Sequence, residues 1–169
     1  MRRTWSPVGR TPVLRVTGKH RKRISMAGIC CYRTGTTPRL LYATRNGGFT
    51  NTEFPALLTH VHRTLNTPIV LVWDNLSGHL TGKTKEFTAA NTSWLTVVQL
   101  PSYAPEFNPT ESVWAHLKTT TLANLAARDL TELTRTVRRG LRHIQCHPAL
   151  LNGFLAGTGL TLDPTPSTP

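Results

Sequence analysis

Pro101-Ser102-Tyr103-Ala104-Pro105-Glu106-Phe107-Asn108-Pro109-Thr110-Glu111-Ser112-Val113-Trp114, running on to Leu117-Lys118, is the stretch on which the reading of the fold turns. Asn108 is a good helix cap, Pro109 suits the first helical position, and Glu111 falls three residues after the cap. A helix is therefore expected from Asn108 through Trp114 and Leu117 toward Ala127. Just ahead, Trp94 to Leu100 reads as a strand that Pro101 ends. Further back, the apolar run Ile69-Val70-Leu71-Val72-Trp73 stops on Asp74-Asn75. Its unbroken apolar character predicts a buried strand inside an α/β layer.

The remaining elements follow outward from these. Ile24 to Tyr32 and Arg39 to Thr44 flank a Gly-containing loop, which predicts an antiparallel hairpin. Thr50 or Asn51 is placed to cap a helix reaching Leu65, with Phe54, Leu57, Leu58, Val61 and Leu65 on one face. A short polar helix is expected over Gly82 to Asn91. Asp129, with Glu132 three positions on, predicts another helix start, followed by Leu130, Leu133, Val137, Leu141 and Ile144 on one face. Strands alternating with helices make this a mixed α/β layer fold. The division expected is a basic extended arm with a short strand at Pro12 to Val16 (1–23), a partial α/β domain (24–157) and a disordered Thr/Pro-rich tail (158–169).

Charge is the strongest compositional signal, at +12 with only eight acidic residues in 169. Eight Lys/Arg and no acid lie in the first 23 residues, densest at Lys19-His20-Arg21-Lys22-Arg23. A polyanion, nucleic acid above all, is the partner such a block favours. Arg10, Lys19, Arg21, Lys22, Arg23 and, farther on, Lys118 are the candidate phosphate contacts. The face bearing Arg135, Arg138, Arg139 and Arg142 is a weaker one. No apolar run approaches the roughly 20 residues of a membrane span, and the basic N-terminal stretch lacks the apolar segment of a signal peptide, so export is not expected. Three cysteines without paired spacing fit a reducing cytosol.

Asp74 at a strand's carboxyl end and Glu111 at a helix start can aim two carboxylates at one Mg2+ or Mn2+ ion. Each acid has a plainer explanation: Asp74 as a turn residue, and Glu111 as the third member of a capping arrangement. His60 with His62, and His143 with Cys146 and His147, have metal-compatible spacing, but neither set completes a zinc site.

The Leu100-to-Glu111 segment, followed by Val113-Trp114 and Leu117-Lys118, closely resembles the last catalytic motif of mariner-superfamily transposases, their bacterial insertion-sequence branch above all. Val72-Trp73-Asp74-Asn75 with His79 is similar to the second motif. Arg3-Thr4-Trp5-Ser6-Pro7-Val8-Gly9-Arg10-Thr11-Pro12 resembles the segment after the first. The resemblance implies a ribonuclease-H-like mixed sheet flanked by helices, a divalent metal, and cutting and joining of transposon-end and target DNA by a homodimer. It makes Asp74 and Glu111 the second and third acids of a triad, with Asn75 and His79 as neighbours. The family's first Asp lies on a strand just before the Arg-Thr-Trp segment, and the only acid here ahead of Asp74 is Glu53. The expectation is thus a truncated chain that lacks the central strand and is inactive alone. The alternative is a non-catalytic DNA-binding or regulatory remnant.

Overall fold

The computed structural model describes residues 8–9, 23–50, 52–75 and 82–162. The proposed strand at Pro12 to Val16, the basic residues up to Lys22, Asn51, His79 and the last seven residues lie outside these.

Strands β1 (Ile24–Cys31) and β2 (Arg39–Asn46) form the expected antiparallel hairpin, with Gly28 opposite Tyr42 and Cys30 opposite Leu40. Helix α1 (Phe54–Leu65) follows and buries Phe54, Leu58 and Val61. It ends where Asn66 turns left-handed (φ 49°) and donates its N–H to the His62 carbonyl. Asn tolerates that conformation better than most residues. Strand β3 (Ile69–Trp73), helix α2 (Gly82–Ala90) and strand β4 (Leu95–Gln99) make a parallel two-stranded unit with Ile69 opposite Leu95 and Trp73 opposite Gln99. A single 3-10 turn, Pro105–Phe107, leads into α3 (Pro109–Thr119), then α4 (Leu130–Gln145) and α5 (Pro148–Ala156).

Two hydrophobic clusters hold these pieces. Leu40 of the hairpin, Val113 and Leu117 of α3, Val137, Leu141 and Ile144 of α4, and Leu151 of α5 form one. Leu58, Leu71, Trp73 and Leu95 form the other, and Ile29 of β1 packs against it. Polar ties reinforce the first cluster. The Tyr32 hydroxyl donates to the Leu151 carbonyl at 2.9 Å, and the Gln145 side chain donates to the Leu40 carbonyl at 2.8 Å.

Two expectations are corrected. Strand β3 is not buried on both faces: Leu71 and Trp73 point into the core, while Val70 is 67% and Val72 49% exposed. Side chains alternate along a strand, and among the described residues only one face of β3 is covered. Helix α3 stops at Thr119 rather than near Ala127. The hydroxyls of Thr119 and Thr120 both donate to the His116 carbonyl, at 3.2 and 2.7 Å. Side chains that compete for backbone carbonyls in this way disfavour continuing the helix.

The expected start of α4 is present. The Asp129 carboxylate accepts from the Glu132 N–H at 2.7 Å, and Glu132 in turn accepts from the Arg128 N–H at 2.8 Å. Beyond α5, Thr158 is buried, and the Thr34 hydroxyl donates to the Leu162 carbonyl at 3.4 Å. Among the described residues no helix is long and apolar enough to cross a membrane.

Candidate active site

Parallel pairing of β3 with β4 brings the carboxyl ends of both strands side by side, so whatever follows each strand meets at one edge. Asp74 and Asn75 follow β3, and the Pro101–Pro105 loop follows β4. The ladder runs to its last rung, where the Leu100 N–H donates to the Trp73 carbonyl at 2.9 Å. Beyond it, the Asn75 side-chain amide donates to the Leu100 carbonyl at 2.9 Å and lies 3.5 Å from the Ser102 hydroxyl. Asn75 therefore clamps the loop to the strand end that carries Asp74.

The loop turns through the 3-10 turn and enters α3. Asn108 caps this helix by accepting the Thr110 N–H at 3.0 Å, and Pro109 occupies the first turn, where its missing N–H costs nothing. Glu111 then stands in the first turn, where the positive end of the helix dipole favours a carboxylate. Asp74, Asn75, Ser102, Tyr103, Asn108 and Glu111, with the prolines and small residues between them, line one open cleft of about 460 Å³. The sequence-predicted pair is brought together here, with both carboxylates exposed to solvent.

Among the described residues, Glu53, Glu111 and Glu132 lie at α-helix starts, and Glu111 alone of these three is idle there. Glu53 accepts from the N–H and hydroxyl of Thr50 and pairs with Arg45, which ties the end of β2 to the start of α1. Glu132 closes the cap of α4. The Glu111 carboxylate makes no hydrogen bond or ion pair among the described residues, since Asn108 alone supplies the cap. The plain capping explanation thus accounts for Glu53 and Glu132 but leaves Glu111 facing the cleft. Glu53 is correspondingly committed elsewhere.

Other sequence candidates lie apart. Lys118 is exposed on α3, seven residues and about 10 Å of helix beyond Glu111, on the same face. Arg23 is exposed at the start of β1, where its carbonyl accepts from the Gly47 N–H at 3.2 Å. His79, Arg10, Lys19, Arg21 and Lys22 lie outside the described residues. His62 stacks on Trp94 with ring centroids 4.0 Å apart, and the His143 and His147 rings lie against each other, also at 4.0 Å. Among the described residues, no three or more His, Cys, Asp or Glu side chains form a group that could hold a metal ion. Cys30, Cys31 and Cys146 are all free thiols. Sequence reading named the motif that carries Ser102 and Tyr103 without assigning them a place; only the strand pairing puts them on the cleft wall.

The fold is thus a mixed α/β arrangement with one acid directly after a strand of the parallel pair and a second at the start of the helix that follows the other strand. The fold is similar to that in the crystal structure of the Mos1 mariner paired end complex with Mn, with TM-score 0.55 and 13% identity. That likeness covers 96% of this chain and 52% of that one, so the chain spans about half the length of that relative. The Mos1 mariner transposase catalytic domain is similar at TM-score 0.47 and 12% identity, covering 83% of each chain. No curated protein sequence matches significantly. Residues 1–134 match the family described as DDE superfamily endonuclease, and the chain belongs to that family.

Proposed function

We propose that this chain is the catalytic part of a DNA transposase of the mariner superfamily, insertion-sequence branch, that binds transposon ends and target DNA. The observation that carries the reading is Glu111: a first-turn glutamate released from capping and set in the same cleft as Asp74. Two solvent-facing carboxylates with open space around them suit Mg2+ or Mn2+, which bind through one or two carboxylates and retain several waters. Such an ion, when bound, supplies positive charge against phosphate oxygens and acidifies an attacking hydroxyl. Asp74 and Glu111 would hold it, while Asn75 keeps the cleft wall in register. Arg23, Lys118 and the arm residues Arg10, Lys19, Arg21 and Lys22 would neutralise DNA phosphates. A homodimer belongs to the same reading.

The reading includes a strand between β1 and β3. Its support is that the described strands form two separate two-stranded sheets, that Ile29 of β1 already packs on the β3–β4 cluster, and that Val70 and Val72 stand exposed. A third carboxylate is likewise not supplied to the cleft by the described residues. These 169 residues by themselves are therefore expected to bind DNA without cutting it.

The test is a Mn2+ titration followed by electron paramagnetic resonance, beside a nicking assay on supercoiled plasmid. Asp74→Asn and Glu111→Gln should each weaken Mn2+ binding about ten-fold or more, and the unaltered chain should leave the plasmid closed. Mn2+ binding indifferent to both substitutions, with salt-sensitive DNA binding intact, would favour the DNA-binding regulatory reading instead. Nicking that disappears in Asp74→Ala or Glu111→Ala would mean that another group completes the site.

A further inference from the structure

Tyr103 is the side chain that the fold leaves least explained. Its surface is fully exposed, at 101% of the reference value, whereas the other large aromatics among the described residues are at least partly covered. Trp73 is buried, Trp94 stacks on His62, Phe54 sits in the α1 core face, and Phe107 is 39% exposed. The Tyr103 hydroxyl makes no hydrogen bond among the described residues. Its backbone is also left-handed, at φ 58°, a conformation that is an outlier for a bulky residue. Nothing inside the described molecule offsets either cost.

The strain is imposed by a stiff frame. Pro101 and Pro105 fix the backbone on either side, Asn75 holds Leu100 from across the cleft, and the Phe107 N–H donates to the Ala104 carbonyl at 3.2 Å. That frame puts an unattached phenol ring on the wall of the cleft that Asp74 and Glu111 share. Strained residues of this kind concentrate where a ligand is gripped.

Resting on the proposed nuclease reading, we propose that Tyr103 is a base-stacking residue: its ring covers an unpaired nucleobase of the DNA strand whose phosphate enters the cleft. An aromatic face is suited to this position. Carboxylates offer a nucleic acid only repulsion until a cation arrives, whereas stacking is indifferent to charge and to base identity. The +12 chain supplies the long-range attraction, and Tyr103 supplies the short-range grip at the site.

The experiment uses the full chain and a single-stranded oligonucleotide carrying one 2-aminopurine, whose fluorescence falls when it stacks. The unaltered chain should quench the probe on binding, and Tyr103→Phe and Tyr103→Trp should keep the quench. Tyr103→Ala should abolish it and weaken binding roughly 5- to 100-fold, the span expected for one stacked base. Tyr103→Gly should lose the quench while raising the thermal midpoint, because glycine accepts the left-handed backbone freely. A residue with a purely structural role would instead lose stability.

Equal quenching and equal affinity in Tyr103→Ala, or no quenching by the unaltered chain, would overturn the proposal. Mn2+ titration of Asp74→Asn and Glu111→Gln alongside separates the two readings. Loss of quenching in Tyr103→Ala with Mn2+ binding that ignores Asp74 and Glu111 would keep the stacking role and discard the metal site.

Discussion

Trp114, three residues after Glu111 on α3, lies directly over the bare Cα of Gly28 in β1: a Cβ built at Gly28 would stand 2.8 Å from the ring's Cη2. This contact sets how closely the helix bearing Glu111 approaches the hairpin. Replacing Gly28 by Ala gains about 0.5–1 kcal/mol of backbone entropy but forces the ring outward at a cost of about 1–3 kcal/mol. The expected net result of Gly28→Ala is a lower urea midpoint with an unchanged slope, and Gly28→Val should be worse. Because the helix must shift, Mn2+ affinity should fall with stability. A stable Gly28→Ala protein would show that the ring yields freely and that this contact does not place Glu111.

The outer face of α4 offers a second check on the nucleic-acid reading. Arg135, Arg138, Arg139 and Arg142 are exposed, and Arg138 donates to the Thr44 hydroxyl at 2.9 Å, beside Arg45 of β2. None of the four pairs with a carboxylate among the described residues. If this face follows a phosphate backbone, each of Arg135→Gln, Arg139→Gln and Arg142→Gln should flatten the slope of log K against log salt by about one. A slope unchanged in the triple variant would leave DNA binding to the amino-terminal arm and to Arg23 and Lys118.

How much of this was legible in the sequence differs from element to element. The hairpin, the cap at Asp129 and the pairing of Asp74 with Glu111 all follow from local signals: two apolar runs joined by a Gly-containing loop, an acid with a glutamate three positions on, and a strand ending in an acid before a proline-started helix. The end of α3 was missed, although Thr119 and Thr120 stand side by side there and their hydroxyls return to the His116 carbonyl. The exposure of Val70 and Val72 was not legible. Five apolar residues in a row say that both faces of β3 seek cover, but not which chain segment supplies it. Nor could spacing separate Glu111 from Glu53 and Glu132. All three sit at helix starts, and only the placed neighbours show that Thr50, Arg45 and Arg128 occupy two of them while Asn108 spares the third.

The cap at Asp129 carries a stability prediction independent of function. Its carboxylate satisfies the Glu132 N–H at the start of the helix that contributes Val137, Leu141 and Ile144 to the main core. Asp129→Ala should destabilise the chain by about 1 kcal/mol, whereas Asp129→Ser or Asp129→Asn should recover most of the loss. Chemical denaturation of the three variants decides this. Equal stability of the Ala and Asn variants would mean that the first turn of α4 is held by packing alone.

The thiols and the tyrosine at the end of β1 give the molecule an alkaline limit. Burial pushes the Cys31 thiol up to about 12, with the neighbouring Cys30 adding to the shift. Burial likewise raises Cys30 and, together with Cys30 beside it, the half-buried Tyr32. A group whose acidity is weakened by folding favours the folded state fully below its unfolded pKa and loses that contribution as pH climbs toward the folded value. Stability should therefore decline from about pH 9 upward, since an exposed thiol ordinarily ionises near 8.5. Cys31→Ser and Cys30→Ser should each soften the decline. The same burial predicts that one thiol, the exposed Cys146, reacts quickly with a disulfide reagent near pH 8 while Cys30 and Cys31 wait for unfolding. Rapid reaction of all three would show the hairpin opening in the native state, and the alkaline loss of stability would then have to come from elsewhere.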